Sequence, residues 1–317
     1  MIHHSRAVLA LSLAALVLSA CASATPSPSI EPTPSATPQA TIEPTPTLQP
    51  TLAPIPVDQK MLSHRLTILV VGSDASQARR RSGLLTWRTD ALMVVSISAD
   101  QSQISMLSLP RDTVDVPLGN GRIYGGKVNG IAQLYGLDGL RRAMSTLLGV
   151  PIDRYLMINM DDFGWIVDAV GGIDVEVKTR ISDGEIHLRL DPGPVHLNGA
   201  RALLFSRTRA DSDYARGARH QQVVLALLQR WLDPATPVAL LTGMRLLASL
   251  ETDIVLTELP TLIEIGRRSM TARVMGAVLQ PPRFSYFVGV EPGTNRGWVM
   301  IPNLTAIRSY ARSLMGA

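Results

Sequence analysis

Apolar residues along this chain fall into two periods. LTILVVG (66–72) is a β-branched run ending in Gly, and ALMVVSIS (91–98) and QISMLSLP (103–110) are two similar runs joined by the polar turn ADQS, so three buried strands are predicted. Residues 127–148 are helical in pattern with a break at Gly136 and Asp138, predicting two short helices. RYLMINM (154–160) reads as a strand, and DDFGWIVDAVGG (161–172) as a helix closed by a glycine pair. IDVEVKT (173–179) alternates as a half-exposed strand does, and LNGARALLFSR (197–207) turns helical after an Asn at a capping position. In RHQQVVLALLQRWL (219–232), Val223, Val224, Leu227, Leu228 and Trp231 keep the 3.6 period of an amphipathic helix. Helices around 238–250 and 257–269 and a closing strand near Trp298–Ile301 are expected beyond it. Strands and helices alternate without a long second linker, which predicts an α/β fold: one α/β/α sandwich domain with a central mixed sheet, over 59–317.

The N-terminal part has a different pattern. MIHHSR (1–6) and a fourteen-residue apolar run (7–20) have the charge and length of a signal peptide, and the run is short for a membrane span. It ends in LSAC, similar to a bacterial lipobox, at the only cysteine of the chain, Cys21. Lipidation of Cys21 would tether the chain to the outer face of a membrane; a plain secretory peptide with an incidental Cys is the other reading. Residues 22–58 repeat Pro every two to four positions among Ser, Thr and Ala, a polyproline-type linker with a reach of about 100 Å when extended.

Charge adds a local feature. The chain has 30 basic and 26 acidic residues, too even a balance to indicate a nucleic-acid partner, and only Lys60, Lys127 and Lys178 are lysines. Yet SRTRADSDYARGARHQQ (206–222) holds Arg207, Arg209, Arg216 and Arg219 with Asp211 and Asp213 between them. Arg216 and Arg219, three apart, are expected to share a face near the start of the 219–232 helix. Two arginines at a helix N-terminus are poor electrostatics unless an anion compensates them. A solvated charged loop has the same composition.

Three strand ends bear on that choice. Asp74 follows the first strand, Arg88 and Asp90 precede the second, and Arg111 and Asp112 follow the third, so charge gathers where an α/β sheet places a site. Lys127 and Asn129 open the next helix. Asp74 and Asp90 suit a divalent cation such as Mg²⁺ or Mn²⁺, and guanidinium groups suit phosphate oxygens. Neither GxxxxGK[ST] nor GxGxxG occurs, which argues against a nucleotide.

RTD before an apolar strand, SLPRDT, KVN, DAVGGIDVEV, LNGARALLFSRTR and DYARGARHQQ stand in the order found in the LytR–CpsA–Psr family, which the chain resembles strongly over 66–232 and loosely beyond. The resemblance implies an extracytoplasmic domain with an apolar groove for a polyprenyl chain. It implies a transferase that moves a glycopolymer from a polyprenyl-pyrophosphate carrier to peptidoglycan, forming a phosphodiester. It further implies that Asp74 and Asp90 bind the metal, and that Arg111, Arg207, Arg209, Arg219 and Lys127 clamp the pyrophosphate. Arg88, Arg216 and Gln221 belong to motif positions expected to contact phosphate, and Asp112, Asn129 and Asp213 to positions of less defined role. Asp74, Asp90, Arg111, Arg209 and Arg219 are the expected catalytic residues. The chain departs from the family pattern at Ala91, where Thr is usual, at Gly130 after KVN, and at His220, which interrupts the usual RQ. Hydrolysis of the carrier and non-catalytic carrier binding are the rival functions.

Overall fold

A single helical turn, α1 (Gln59–Leu62), leads into β1 (Leu66–Ser73), β2 (Thr89–Ile97) and β3 (Gln103–Ser108), which form where the β-branched runs predict strands. The computed structural model describes residues 56–75, 88–233 and 250–316, all within one compact unit, Ala53–Ala317. The signal segment, Cys21, the linker up to residue 55 and most of the helix expected at 238–250 lie outside the described residues. Among the described residues no helix is long and apolar enough to cross a membrane.

The chain continues through the hairpin β4 (Val116–Pro117) and β5 (Ile123–Tyr124), then α2 (Ile131–Leu148), β6 (Arg154–Asn159) and α3 (Met160–Ala169). The expected break in 127–148 is present as a kink at Gly136, with φ 70° and ψ 174°, inside α2. Only glycine adopts that backbone cheaply. Four short strands follow: β7 (Ile173–Val177), β8 (Ile181–Asp183), β9 (Leu188–Leu190) and β10 (Gly193–Leu197). Then come α4 (Gly199–Arg207), α5 (Asp213–Leu232), β11 (Glu251–Thr252), α6 (Leu259–Arg268), β12 (Arg273–Val278), β13 (Ser285–Val290), β14 (Trp298–Pro302) and α7 (Leu304–Met315).

Six strands make the central sheet in the order β11-β6-β1-β2-β3-β12. β1 runs parallel to β6 and β3 parallel to β12, while the β1–β2, β2–β3 and β6–β11 pairs are antiparallel, so the sheet is mixed. Alternation sends Leu69, Val71, Leu92, Val94 and Leu107 to one face, in a core shared with Leu140, Met144 and Leu147 of α2 and Ile307, Ala311 and Leu314 of α7. Met93, Val95, Ile104 and Met106 face the other way and meet Val224 and Leu225 of α5. Each such fully buried aliphatic side chain contributes about 1.5–3 kcal/mol. A further core joins α3, α4 and α5 to β7–β10 around Val167, Ile173, Leu197, Phe205 and Val223.

Two local features set the rim of the sheet. Gly72 pairs with Ala91 and Ser73 with Thr89, so Asp90 is an extra residue in β2, a bulge at the strand's first turn of register. On the far side, α3 and α4 touch at Gly164 and Gly199, where a Cβ on Gly199 would lie 2.0 Å from the Gly164 carbonyl oxygen. Glycine is required there because the two backbones meet.

Candidate active site

The ends of β1 and β3 and the start of β2 lie at one edge of the sheet, because β2 is antiparallel to both. This brings together the charges that sequence places at three separate strand ends. Asp74 is buried, with its backbone N–H bonded to Arg88 O at 3.0 Å and its Oδ1 accepting the Arg88 N–H at 2.6 Å. Arg88 is thus tied through its backbone, and its side chain is exposed. Arg111 Nη1 lies 2.8 Å from Asp90 Oδ1, and Arg111 Nε lies 3.6 Å from Asp112. Lys127 Nζ donates to Asp112 Oδ1 at 2.7 Å. Burial works against the Arg111 charge, but Asp90, Asp112 and Asp213 outweigh it and raise its pKa.

Helix α5 supplies the opposite wall. It begins six residues earlier than its apolar period predicts, because Ser212 caps it, with Oγ accepting the Ala215 N–H at 3.0 Å. Asp213 sits in the first turn and stands 3.3 Å from both Arg209 Nε and Arg216 Nη2. Residues 216, 220, 223, 224 and 227 recur at helical spacing on one face. All five line a cavity of about 420 Å³ between α5, α3 and the sheet. Val70, Met93, Ile158, Phe163, Leu203 and Leu227 form apolar parts of its wall, and Asp74, Asp90, Arg207, Arg209 and Arg216 form charged parts. Asp183 and Glu185, from the β8–β9 turn, line it as well. No sequence motif marked these two; Asp183 is fixed by the Thr208 hydroxyl, which donates to it at 2.6 Å and lowers its pKa.

Arg216 is only 6% exposed, and its Nε has no hydrogen-bond partner among the described residues. Loss of hydration pushes its pKa down to about 10; Asp213 opposes the shift, and Arg209 and Arg111 add to it. A guanidinium this buried and this weakly compensated would gain from an anion brought beside it.

Arg216 and Arg219 are both buried along α5, as their spacing predicts, but their guanidinium groups have different partners. Arg219 Nη1 and Nη2 hold Asp211 at 2.6 and 3.0 Å, Nη2 donates to Thr208 O at 2.5 Å, and the guanidinium lies over the Phe205 ring. It fixes the segment that carries Arg209 and does not line the cavity. Gln221, expected at the phosphate, also turns away: its Nε2 donates to Ser108 Oγ at 2.9 Å and Ala277 O at 2.8 Å, tying α5 to β3 and β12. The next residue round the helix, His220, faces the cavity instead.

His220 Nε2 lies 2.9 Å from Ser206 O. A carbonyl oxygen only accepts, so Nε2 carries the proton and Nδ1 has a free lone pair in the neutral ring. Loss of hydration lowers the His220 pKa to about 4, with Arg216 and Arg219 adding to the shift against the Ser206 bond.

Residues 39–282 match the model of the LytR_cpsA_psr family. The chain belongs to the LytR–CpsA–Psr family. Among curated relatives, it is 33% identical over 171 residues to the polyisoprenyl-teichoic acid–peptidoglycan teichoic acid transferase TagU of Bacillus mycoides (strain KBAB4), covering 53% of each chain. It is 30% identical over 203 residues to the corresponding transferase TagV of Bacillus subtilis (strain 168), covering 61% of this chain and 50% of the relative. The matched region thus spans about half the length of these relatives. The crystal structure of B. subtilis TagV superposes with a TM-score of 0.63 at 26% identity, over 80% of this chain and 98% of that one.

Proposed function

We propose that this LytR–CpsA–Psr member is a phosphotransferase that moves a glycopolymer from a polyprenyl-pyrophosphate carrier onto peptidoglycan. The observation that carries the reading is Arg216, a buried and undercompensated guanidinium on the wall of a partly apolar cavity. A lipid chain fits the apolar part, and its pyrophosphate fits beside Arg207, Arg209 and Arg216. Arg111 and Lys127 hold Asp90 and Asp112 at the rim by ion pairs. The relatives' names, teichoic acid transferases, support the same class of reaction.

Asp74 and Asp90 line the same cavity, and two hard carboxylates suit Mg²⁺ or Mn²⁺ with phosphate and water oxygens completing the shell. Oxygens of the substrate's pyrophosphate would supply further ligands. Such an ion, when bound, neutralises phosphate charge.

In the reaction, an acceptor hydroxyl oxygen bonds to the phosphorus that bears the glycan, and the P–O bond to polyprenyl phosphate breaks. Arg209 and Arg216 balance the charge on the departing phosphate, as positioning and electrostatics do in phosphoryl transfers generally. The hydroxyl proton passes to Nδ1 of His220, whose tautomer the Ser206 carbonyl fixes.

The test is incubation of the purified protein with Mg²⁺, a polyprenyl-pyrophosphate-linked oligosaccharide and peptidoglycan fragments. The expected product is a phosphodiester-joined conjugate with polyprenyl phosphate released. Release of a glycan phosphate without conjugate would make the protein a hydrolase, and tight carrier binding without turnover would make it a binding protein. We also propose that Cys21 carries a lipid anchor holding the domain at the outer face of the membrane; loss of palmitate labelling in Cys21→Ala is the expected result.

A further inference from the structure

Two openings reach one group of residues. The cavity and a second cleft of about 30 Å³ share Asp90, Ala91, Arg216 and His220. The remaining walls of the cleft differ from those of the cavity: Arg111 and Asp112 after β3, Tyr214 in the first turn of α5, and Trp298 at the start of β14. Trp298 is 40% exposed. Its strand is bonded to the Arg111 segment, since the Met300 N–H donates to Asp112 O and the Val114 N–H to Met300 O, both at 3.0 Å. The indole is therefore held by a strand next to Arg111.

Displacement at phosphorus requires the entering and leaving oxygens to lie roughly in line. A lipid in the apolar cavity puts the leaving phosphate beside Asp90, Arg216 and His220, and the cleft opens on the same three residues, so an oxygen entering the cleft reaches the phosphorus from a second direction. The size of the cleft restricts what enters. At about 30 Å³ the cleft has room for a small polar group such as a hydroxyl or hydroxymethyl. The ring stays outside, against the exposed indole. The π face of an indole is negative and attracts the positively polarised C–H groups on one face of a pyranose.

We infer that this cleft is the acceptor subsite, with Trp298 as the platform for an N-acetylhexosamine ring whose hydroxyl enters between Asp90, Arg216 and His220. The inference rests on the transferase reading for the identity of the acceptor. It assigns donor and acceptor to separate openings with a common wall, so that the new O–P bond forms from the cleft side as the bond to polyprenyl phosphate breaks on the cavity side.

The experiment measures binding of a peptidoglycan-derived tetrasaccharide of alternating N-acetylglucosamine and N-acetylmuramic acid to the full chain by calorimetry, without donor. Trp298→Ala is expected to weaken it at least about tenfold and Trp298→Phe less than about threefold, an aromatic pair effect of that order. Affinity for a polyprenyl-pyrophosphate-linked disaccharide is expected to stay the same in both variants. Absence of tetrasaccharide binding to the wild type, equal binding in Trp298→Ala, or an equal loss of donor affinity in that variant would overturn the subsite. Failure of the underlying reading is distinguishable. Trp298-dependent saccharide binding by a protein that transfers nothing removes the transferase and leaves the subsite. Transfer whose acceptor KM ignores Trp298→Ala removes the subsite and leaves the transferase.

Discussion

Arg216 and Asp213 meet at 3.3 Å, and that same carboxylate oxygen lies 3.3 Å from Arg209. One acid thus serves two guanidinium groups, one of them buried, and the balance of these three side chains is positive.

Arg216→Gln should weaken binding of a polyprenyl pyrophosphate about a hundredfold, the loss of about 3 kcal/mol expected for a charge-assisted contact. Folding stability should change by less than about 1 kcal/mol, because removing an undercompensated buried charge offsets the lost packing. Calorimetric titration and urea unfolding measure the two effects. Unchanged donor affinity would remove Arg216 from the phosphate site.

Arg219 and Gln221 should behave in the opposite way. Arg219→Ala breaks the bonds to Asp211 and Thr208 O, and Gln221→Ala those to Ser108 and Ala277. Each is expected to lose about 2 kcal/mol of stability. Donor KM in Gln221→Ala should stay near the wild-type value, whereas Arg219→Ala should raise it through disorder of the Arg209 segment. Selective loss of activity in Arg219→Ala at wild-type stability would restore this residue to the clamp.

His220 gives a pH signature. Its folded pKa lies below its unfolded value of about 6.5, so in that window the unfolded chain binds the extra proton and stability falls as pH falls. The contribution is complete above about pH 6.5 and is lost as pH drops toward about 4. Between pH 7 and pH 5 the wild type should lose about 2 kcal/mol that His220→Gln does not lose, measured by denaturant midpoints. At pH 7, His220→Gln should lower kcat about a hundredfold with little change in KM, because the amide accepts a hydrogen bond but takes no proton.

Asp74→Asn and Asp90→Asn should each weaken Mn²⁺ binding in the presence of pyrophosphate at least about tenfold, by loss of one charged ligand, as read by electron paramagnetic resonance. Retained Mn²⁺ binding in both variants would place the ion elsewhere.

Much of this arrangement is legible in the sequence. The runs at 66–72, 91–98 and 103–110 fix the strands, and the charges beside them fix one edge of the sheet. The short pair β8–β9 was not legible, because three-residue strands show no period, and Asp183 and Glu185 were missed with it. Helix α7 also goes unpredicted, although Ile307, Ala311 and Leu314 are buried on one side of it. The start of α5 hides for a different reason: DYARGARH is polar, and its buried positions are arginines. Which of Arg216, Arg219, His220 and Gln221 faces the cavity depends on the rotation of α5 against the sheet. That rotation is set by contacts such as Gln221 with Ser108 and Ala277, which are distant in sequence.

The bulge at Asp90 bears on how this protein tolerates change in length. Loop tips such as 119–121 or 293–295 can gain or lose a residue at small cost, since nothing downstream is re-aimed. The bulge is a place within β2 where a codon can be lost without disturbing the ladder. Without Asp90, Thr89 still faces Ser73 and Ala91 still faces Gly72, so Leu92 and Val94 stay in their core while the rim loses a carboxylate.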